Sequence, residues 1–215
     1  MRRTVLALAF LFPLAAAAGG DVNHISDNIH VEAGQSAGNL STVSGDVDVG
    51  DRAVVGKAST VSGGVTLGSK AQAVKIGTVS GDIRLDKGAL VKGDVESVSG
   101  SVHLAQDAQV QGHLSNVSES IMLDDAHVAG GIETVAGDIT VGAGSHVEGG
   151  ILVDRPNHGT IHFGNNHTPV IVIGPHAVVQ GTLEFRQPVV LKVSDSAQIG
   201  MVKGATVERF SGAAP

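Results

Sequence analysis

A seven-residue pattern returns at a nearly fixed interval through most of this chain, and it limits the possible folds more than any other feature. The segments are Ile25-Ser-Asp-Asn-Ile-His-Val31, Val43-Ser-Gly-Asp-Val-Asp-Val49, Val61-Ser-Gly-Gly-Val-Thr-Leu67, Val79-Ser-Gly-Asp-Ile-Arg-Leu85, Val98-Ser-Gly-Ser-Val-His-Leu104, Val117-Ser-Glu-Ser-Ile-Met-Leu123 and Val135-Ala-Gly-Asp-Ile-Thr-Val141. Their starts lie 18, 18, 18, 19, 19 and 18 residues apart. Chance does not hold such a register over seven units. A unit this short cannot close a core of its own, so the repeat specifies a solenoid whose turns bury one another.

Within a unit, apolar or small residues alternate with polar ones. In the second unit Val43, Gly45, Val47 and Val49 fall on one set of positions, and Thr42, Ser44, Asp46 and Asp48 on the other. Such a period of two is that of a half-buried strand, with the first set inward. The rest of the unit carries Ala-x-Val, often followed by x-Gly, as in Ala53/Val55, Ala89/Val91/Gly93, Ala108/Val110/Gly112 and Ala126/Val128/Gly130. Each unit therefore supplies about three short strands between Gly or Asp corners. A helix reading fails, because 30 of the 215 residues are Gly, about twice the usual ~7%. The expected fold is all-β: a single-domain, triangular parallel β-helix of about 18 residues per coil, with Val47, Val65, Ile83, Val102, Ile121 and Ile139 in one internal ladder. Bulky Val47, Ile83, Ile121, Ile132 and Ile139 disfavour the left-handed hexapeptide helix, so a right-handed coil is expected.

The ends differ from the middle. Residues 1–18 have the form of a secretory signal peptide: Arg2 and Arg3, an apolar run from Val5 to Leu14, and a small-residue cleavage site over Ala15 to Ala18. The run is too short for a span of ~20 residues and contains Pro13, so no membrane span is expected after cleavage. Residues 19–155 read as regular coils. Beyond them lie Pro156, Pro169, Pro175, Pro188 and Pro215, with Phe163, Phe185 and Phe210. Residues 156–215 are thus expected to form irregular final coils and a C-terminal cap of the same domain, with Pro169 to Ile173 adding an extra strand and the prolines blunting that end.

The Val-Ser-Gly-Asp-[Val/Ile] repeats, together with Ile173-Gly-Pro-His-Ala-Val-Val-Gln-Gly-Thr-Leu183, resemble bactofilins, the polymer-forming bacterial β-helix proteins. The chain is also similar to exported bacterial adhesin-like proteins with β-strand repeats. The likeness covers roughly residues 25–205. It implies a β-helix that associates with copies of itself or with surfaces, and it supplies no catalytic residue.

Composition excludes several function classes. The formal charge is −7, and removal of Arg2 and Arg3 leaves 12 basic against 21 acidic residues, a net −9. Phosphate-backbone binding has no electrostatic footing, and aromatic residues at 2% offer no stacking platform, so no nucleic-acid partner is expected. Zero Cys removes disulfides and thiolate chemistry.

Three residue patterns invite chemistry. His127 and His146 hold equivalent places in consecutive coils and could stack on an outer face, while His158, His162, His167 and His176 crowd the irregular end. Outward His alternating with inward Val is the simpler reading, and no metal or other cofactor is expected. Asp46, Asp82 and Asp138 recur at one corner, as ordinary turn chemistry rather than as a sugar-cleaving or calcium-binding set. Thr42/Ser44, Thr60/Ser62, Thr78/Ser80, Ser97/Ser99 and Asn116/Ser118 suggest two hydroxyl ladders on one outer face. Asn39, Asn116 and Asn166 match the glycosylation acceptor pattern, which is common by chance.

The resulting expectation is a non-enzymatic, exported β-helix, periplasmic or secreted, acting as a structural or surface-interaction module. Its expected partners are a second copy docked at the N-terminal end and a cell-envelope or extracellular polymer. The alternative is a β-helix enzyme acting on sugars, or a hexapeptide-type His-metal enzyme. No catalytic, cofactor-binding or metal residue is assigned.

Overall fold

The computed structural model describes residues 19–156 and 167–215. The signal peptide over 1–18 and the segment 157–166, with His158, His162 and Phe163, lie outside the described residues. Among those described, all regular structure is strand, in three parallel sheets. The first sheet has ten strands, from Val22–Asn23 to Val202–Lys203, and the second has ten, from Ile29–Val31 to Val207–Phe210. The third has seven, from Gln72–Ala73 to Gln198–Ile199, and the bridges Ser36↔Val54↔Gln72 extend it toward the N-terminus. Each strand pairs with its counterparts one turn away. The chain thus winds through nine turns and two strands of a tenth, a triangular solenoid about 43 Å long at ~4.8 Å per turn. None of the described residues forms a helix long and apolar enough to cross a membrane.

The internal ladder is present in the expected register. Val47 pairs with Val65, Val65 with Ile83, Ile83 with Val102, Val102 with Ile121 and Ile121 with Ile139. All six are at most 1% exposed, and Ile29, Ile171 and Leu191 prolong the column at its two ends. The Ala-x-Val half of each unit faces inward too, with Ala53, Val55, Ala89, Val91, Ala108, Val110, Ala126 and Val128 all buried. Each of turns two to nine contributes only four to six buried apolar side chains, so the core exists only as a stack.

Each corner has its own device. Between the second and third sheets a four-residue turn closes with bonds such as Ala53 N to Gly50 O (3.1 Å) and Ala71 N to Gly68 O (3.0 Å). In seven of these turns the third residue is left-handed, at Gly34, Arg52, Lys70, Gly88, Asp107, Gly144 and His176, while the turn over 194–197 closes without one. Between the first and second sheets, Gly is required by close approach. A Cβ on Gly45, Gly63, Gly81 or Gly100 would stand 2.2, 2.1, 2.0 or 2.0 Å from a carbonyl oxygen of the preceding turn. The sixth turn places Glu119 there and adopts a φ of 76° instead.

Two expectations about the final coils are corrected. Val170–Ile173 is no extra strand: it is the eighth turn's member of the second sheet, paired with Ile139–Val141 and Val190–Ser194. The prolines do not blunt the last edge either. Pro169, Pro175 and Pro188 stand at corners, and the final strands Gln198–Ile199, Val202–Lys203 and Val207–Phe210 contain none. Ile199, Val202, Ala205 and Val207 pack on the core while remaining partly exposed.

Candidate interaction surface

The corner from the first to the second sheet carries the most regular surface of the molecule, and strict alternation misassigns part of it. Thr42, Thr60, Thr78, Ser97, Asn116 and Thr134 are buried, whereas Val43, Val61, Val79, Val98 and Val117 are 41–46% exposed. The chain bends between the two strands, so the period of two restarts one residue later. The buried position is polar because the bend brings main-chain carbonyls inside. Thr42 Oγ1 donates to Asp27 O (3.1 Å), Thr60 Oγ1 to Gly45 O (2.9 Å) and Thr78 Oγ1 to Gly63 O (2.9 Å). Asn116 Nδ2 donates to Gly100 O (3.1 Å) and Glu119 O (3.2 Å), and its buried Oδ1 has no partner. An inward Asn116 also closes that glycosylation pattern to modification in the folded chain. The hydroxyl ladders are therefore split, one inside and one outside.

The outside ladder is formed by Ser62, Ser80, Ser99 and Ser118, bridged in register and exposed or partly so. Each amide of this row donates to the valine carbonyl of the turn before, as in Ser62 N to Val43 O, Ser80 N to Val61 O and Ser99 N to Val79 O, all 2.8 Å. Beside it runs an apolar ridge, Ile25, Val43, Val61, Val79, Val98, Val117 and Val135, one residue per turn over about 29 Å. The ridge ends in charge. The next two places are Asp154 and Arg186, paired at 3.4 Å, and Arg186 also binds Glu184 at 2.8 Å. The Arg155 amide and then Arg186 hold the Asp154 carboxyl below the usual carboxylate range, while Glu184 and Asp154 raise the Arg186 guanidinium.

The corner carboxylates bind backbone. Asp46 Oδ1 accepts Gly64 N, Asp82 Oδ1 accepts Ser101 N, and Asp138 Oδ1 accepts Val170 N, each at 2.8 Å. The same device recurs at positions that the sequence reading did not single out. Asp21 and Asn39 bind the amides of Asn39 and Lys57, Asp51 that of Ser69, and Asp94 that of His113. An acidic or amide side chain one turn ahead of a missing backbone partner is the signal that could have found them. On the first sheet, Lys75 lies between Glu96 (2.7 Å) and Asp94 (3.7 Å), and the Glu96 hydrogen bond leads in raising its ammonium above the usual value.

The histidines divide. His127 and His146 are register partners on the third sheet, with ring centroids 5.4 Å apart. His167 Nε2 lies 2.8 Å from Asp138 Oδ1 at the first corner, while His176 occupies a left-handed turn at the second. The two described members of the expected C-terminal cluster thus stand at different corners of the rod. Comparison of the chain with family models, with curated proteins and with solved structures finds no match.

Proposed function

We propose that this chain is an exported, non-enzymatic β-helix rod, bactofilin-like or adhesin-like, that works through its surface and its ends. The observation carrying this reading is the ridge of register-matched exposed valines beside a serine ladder. Single exposed apolar residues are ordinary, but a contiguous apolar row rimmed by hydroxyls suits a partner surface. A cell-envelope or extracellular polymer with alternating apolar and hydroxyl faces has the chemistry to lie along it. Self-association at the N-terminal end is supported by the first turn: among the described residues, Val22–Asn23 and Ile29–Val31 are paired on one side only, leaving a strand edge open. A sugar-cleaving reading is less well supported, because Asp46, Asp82 and Asp138 each already hold an amide.

The test uses the secreted form, two variants and two measurements. Light scattering across a concentration series reads self-association, and co-sedimentation with purified cell-wall polymer reads surface binding. Replacing Val61, Val79 and Val98 together by Lys should leave the fold intact and abolish co-sedimentation. His30→Pro, which removes an edge amide, should weaken self-association and leave co-sedimentation unchanged. A wild type that stays monomeric and does not co-sediment would overturn the proposal. So would wild-type binding in both variants.

A further inference from the structure

We infer that the outer face of the third sheet carries a site for a borderline divalent transition metal, of which Zn²⁺ is the representative, built by His127, His146 and Glu148. Sequence alone pairs the two histidines and assigns no ligand set. What it does not reveal is the third group and the space that lets all three meet.

The scaffold does this in two steps. Strands His127–Val128 and His146–Val147 pair in parallel with His127 opposite His146, so the two imidazoles leave neighbouring rungs about 4.8 Å apart on the same face. Glu148 follows His146 by two residues and so projects from that face as well. Its counterpart one turn earlier is Ala129, whose methyl leaves room for the His127 ring to lean across. His127 Nε2 accordingly lies 2.8 Å from Glu148 Oε1. The two rings meet edge to face, 74° between planes, rather than in a parallel stack that would hold their nitrogens apart. One ligand atom from each of the three residues falls within 4.8 Å of the others.

A tetrahedral zinc with bonds of about 2.0–2.2 Å needs its ligand atoms roughly 3.3 Å apart. The gap of at most about 1.5 Å is within reach of side-chain rotation. Two imidazoles and one carboxylate suit Zn²⁺ and its neighbours, not Mg²⁺ or Ca²⁺, which take oxygen ligands. Gln180 occupies the Glu148 position of the next turn, and its amide nitrogen stands 3.0 Å from His146 Nε2. A metal would displace that hydrogen bond, and the fourth ligand would be water or, after rotation of the amide, Gln180 Oε1. His127 and Glu148 side chains are 38% and 48% exposed, so an ion enters from solvent. A bound metal would join two consecutive turns across the third sheet.

The alternative is that His127 and Glu148 form only a surface ion pair, an interaction worth little by itself. Equilibrium dialysis of tag-free protein against Zn²⁺, with elemental analysis of the bound fraction, separates the two. One saturable Zn²⁺ per chain is expected, not displaced by excess Mg²⁺ or Ca²⁺. His146→Ala and Glu148→Gln should each weaken it by about tenfold or more, given that even outer-shell losses cost 10–100-fold. His103→Ala, on the second sheet, and the double variant His158→Ala/His162→Ala should leave it unchanged. The imidazole NMR signals of His127 and His146 should shift on Zn²⁺ addition, a readout that loss of an ion pair would not give. Absence of saturable binding, or binding that survives His127→Ala/His146→Ala, would overturn the proposal. Binding lost only with His158 and His162 would do the same.

Discussion

The corner between the first and second sheets is built one way in turns two to seven and another way in turn eight. In the regular turns a short bend, with Gly in all but the sixth, brings carbonyls inside, and Thr42, Thr60 and Thr78 bind them there. The outer serine amides bond to the valine carbonyls of the turn before. In turn eight the chain departs at Asp154 and re-enters the second sheet only at Val170. The tight bend is gone, and so is the inward hydroxyl: Val153 and then Phe185 continue the threonine column, both buried. The Arg155 amide turns to Asp154 Oδ1 (2.8 Å) instead of the preceding turn. The vacant rung is filled by a side chain. Gln187 Nε2 donates to Val135 O and also to Asp154 O (2.9 Å). Asp138 similarly reaches Val170 N, so its corner bond survives the longer connection. The comparison ties the buried polar column to the bend of turns two to seven. Where the corner is built differently, by the long connection of turn eight and by residues 186–189 in turn nine, the column is apolar.

The largest effect should come from attacking what both kinds of turn share. Ile83→Asp puts an unpaired charge into the internal ladder and should cost several kcal/mol, read as a large fall in the denaturation midpoint. Next comes the bend itself. Gly81→Ala drives a Cβ to within 2.0 Å of Gly63 O, and an overpacking cost of about 1–3 kcal/mol is expected. The same substitution at Gly20, which has nothing within 4 Å, should cost far less. Turn eight is probed by Gln187→Ala, which leaves Val135 O without its donor. About 1–2 kcal/mol is expected, with faster amide exchange confined to neighbouring turns. Smallest is Val79→Ser on the ridge. Its side chain is 44% exposed, so stability should change by no more than about 0.5 kcal/mol. A larger loss would mean that the ridge supports the fold, and would weaken its reading as an interaction surface.

The architecture was legible because the repeat is long and the inward positions of the second sheet are uniformly Val, Ile or Leu. Register, three strands per turn and the Val47-to-Ile139 column all follow from spacing. The corner was legible only in part. Thr-Val-Ser-Gly reads as continuous alternation, and only the bend, invisible to a period-two pattern, exchanges Thr78 and Val79 between inside and outside. The carboxylate-to-amide bonds of Asp46 and Asp82 join residues 18 and 19 positions apart, so they appear only once the turns are stacked. Glu148 was illegible for a similar reason. Its relation to His127 depends on a small residue at 129, one turn away.

The exchange at the corner is the central structural claim, and the absence of Cys from the sequence makes it directly measurable. Thr78→Cys and Val79→Cys each create a single thiol, and its reaction with a soluble thiol reagent under native conditions reports which side of the wall it occupies. The Val79→Cys thiol should react at nearly the rate of the unfolded chain. The Thr78→Cys thiol should react slower by orders of magnitude, and only through opening of the turn. Equal rates, or a faster reaction at position 78, would contradict the account.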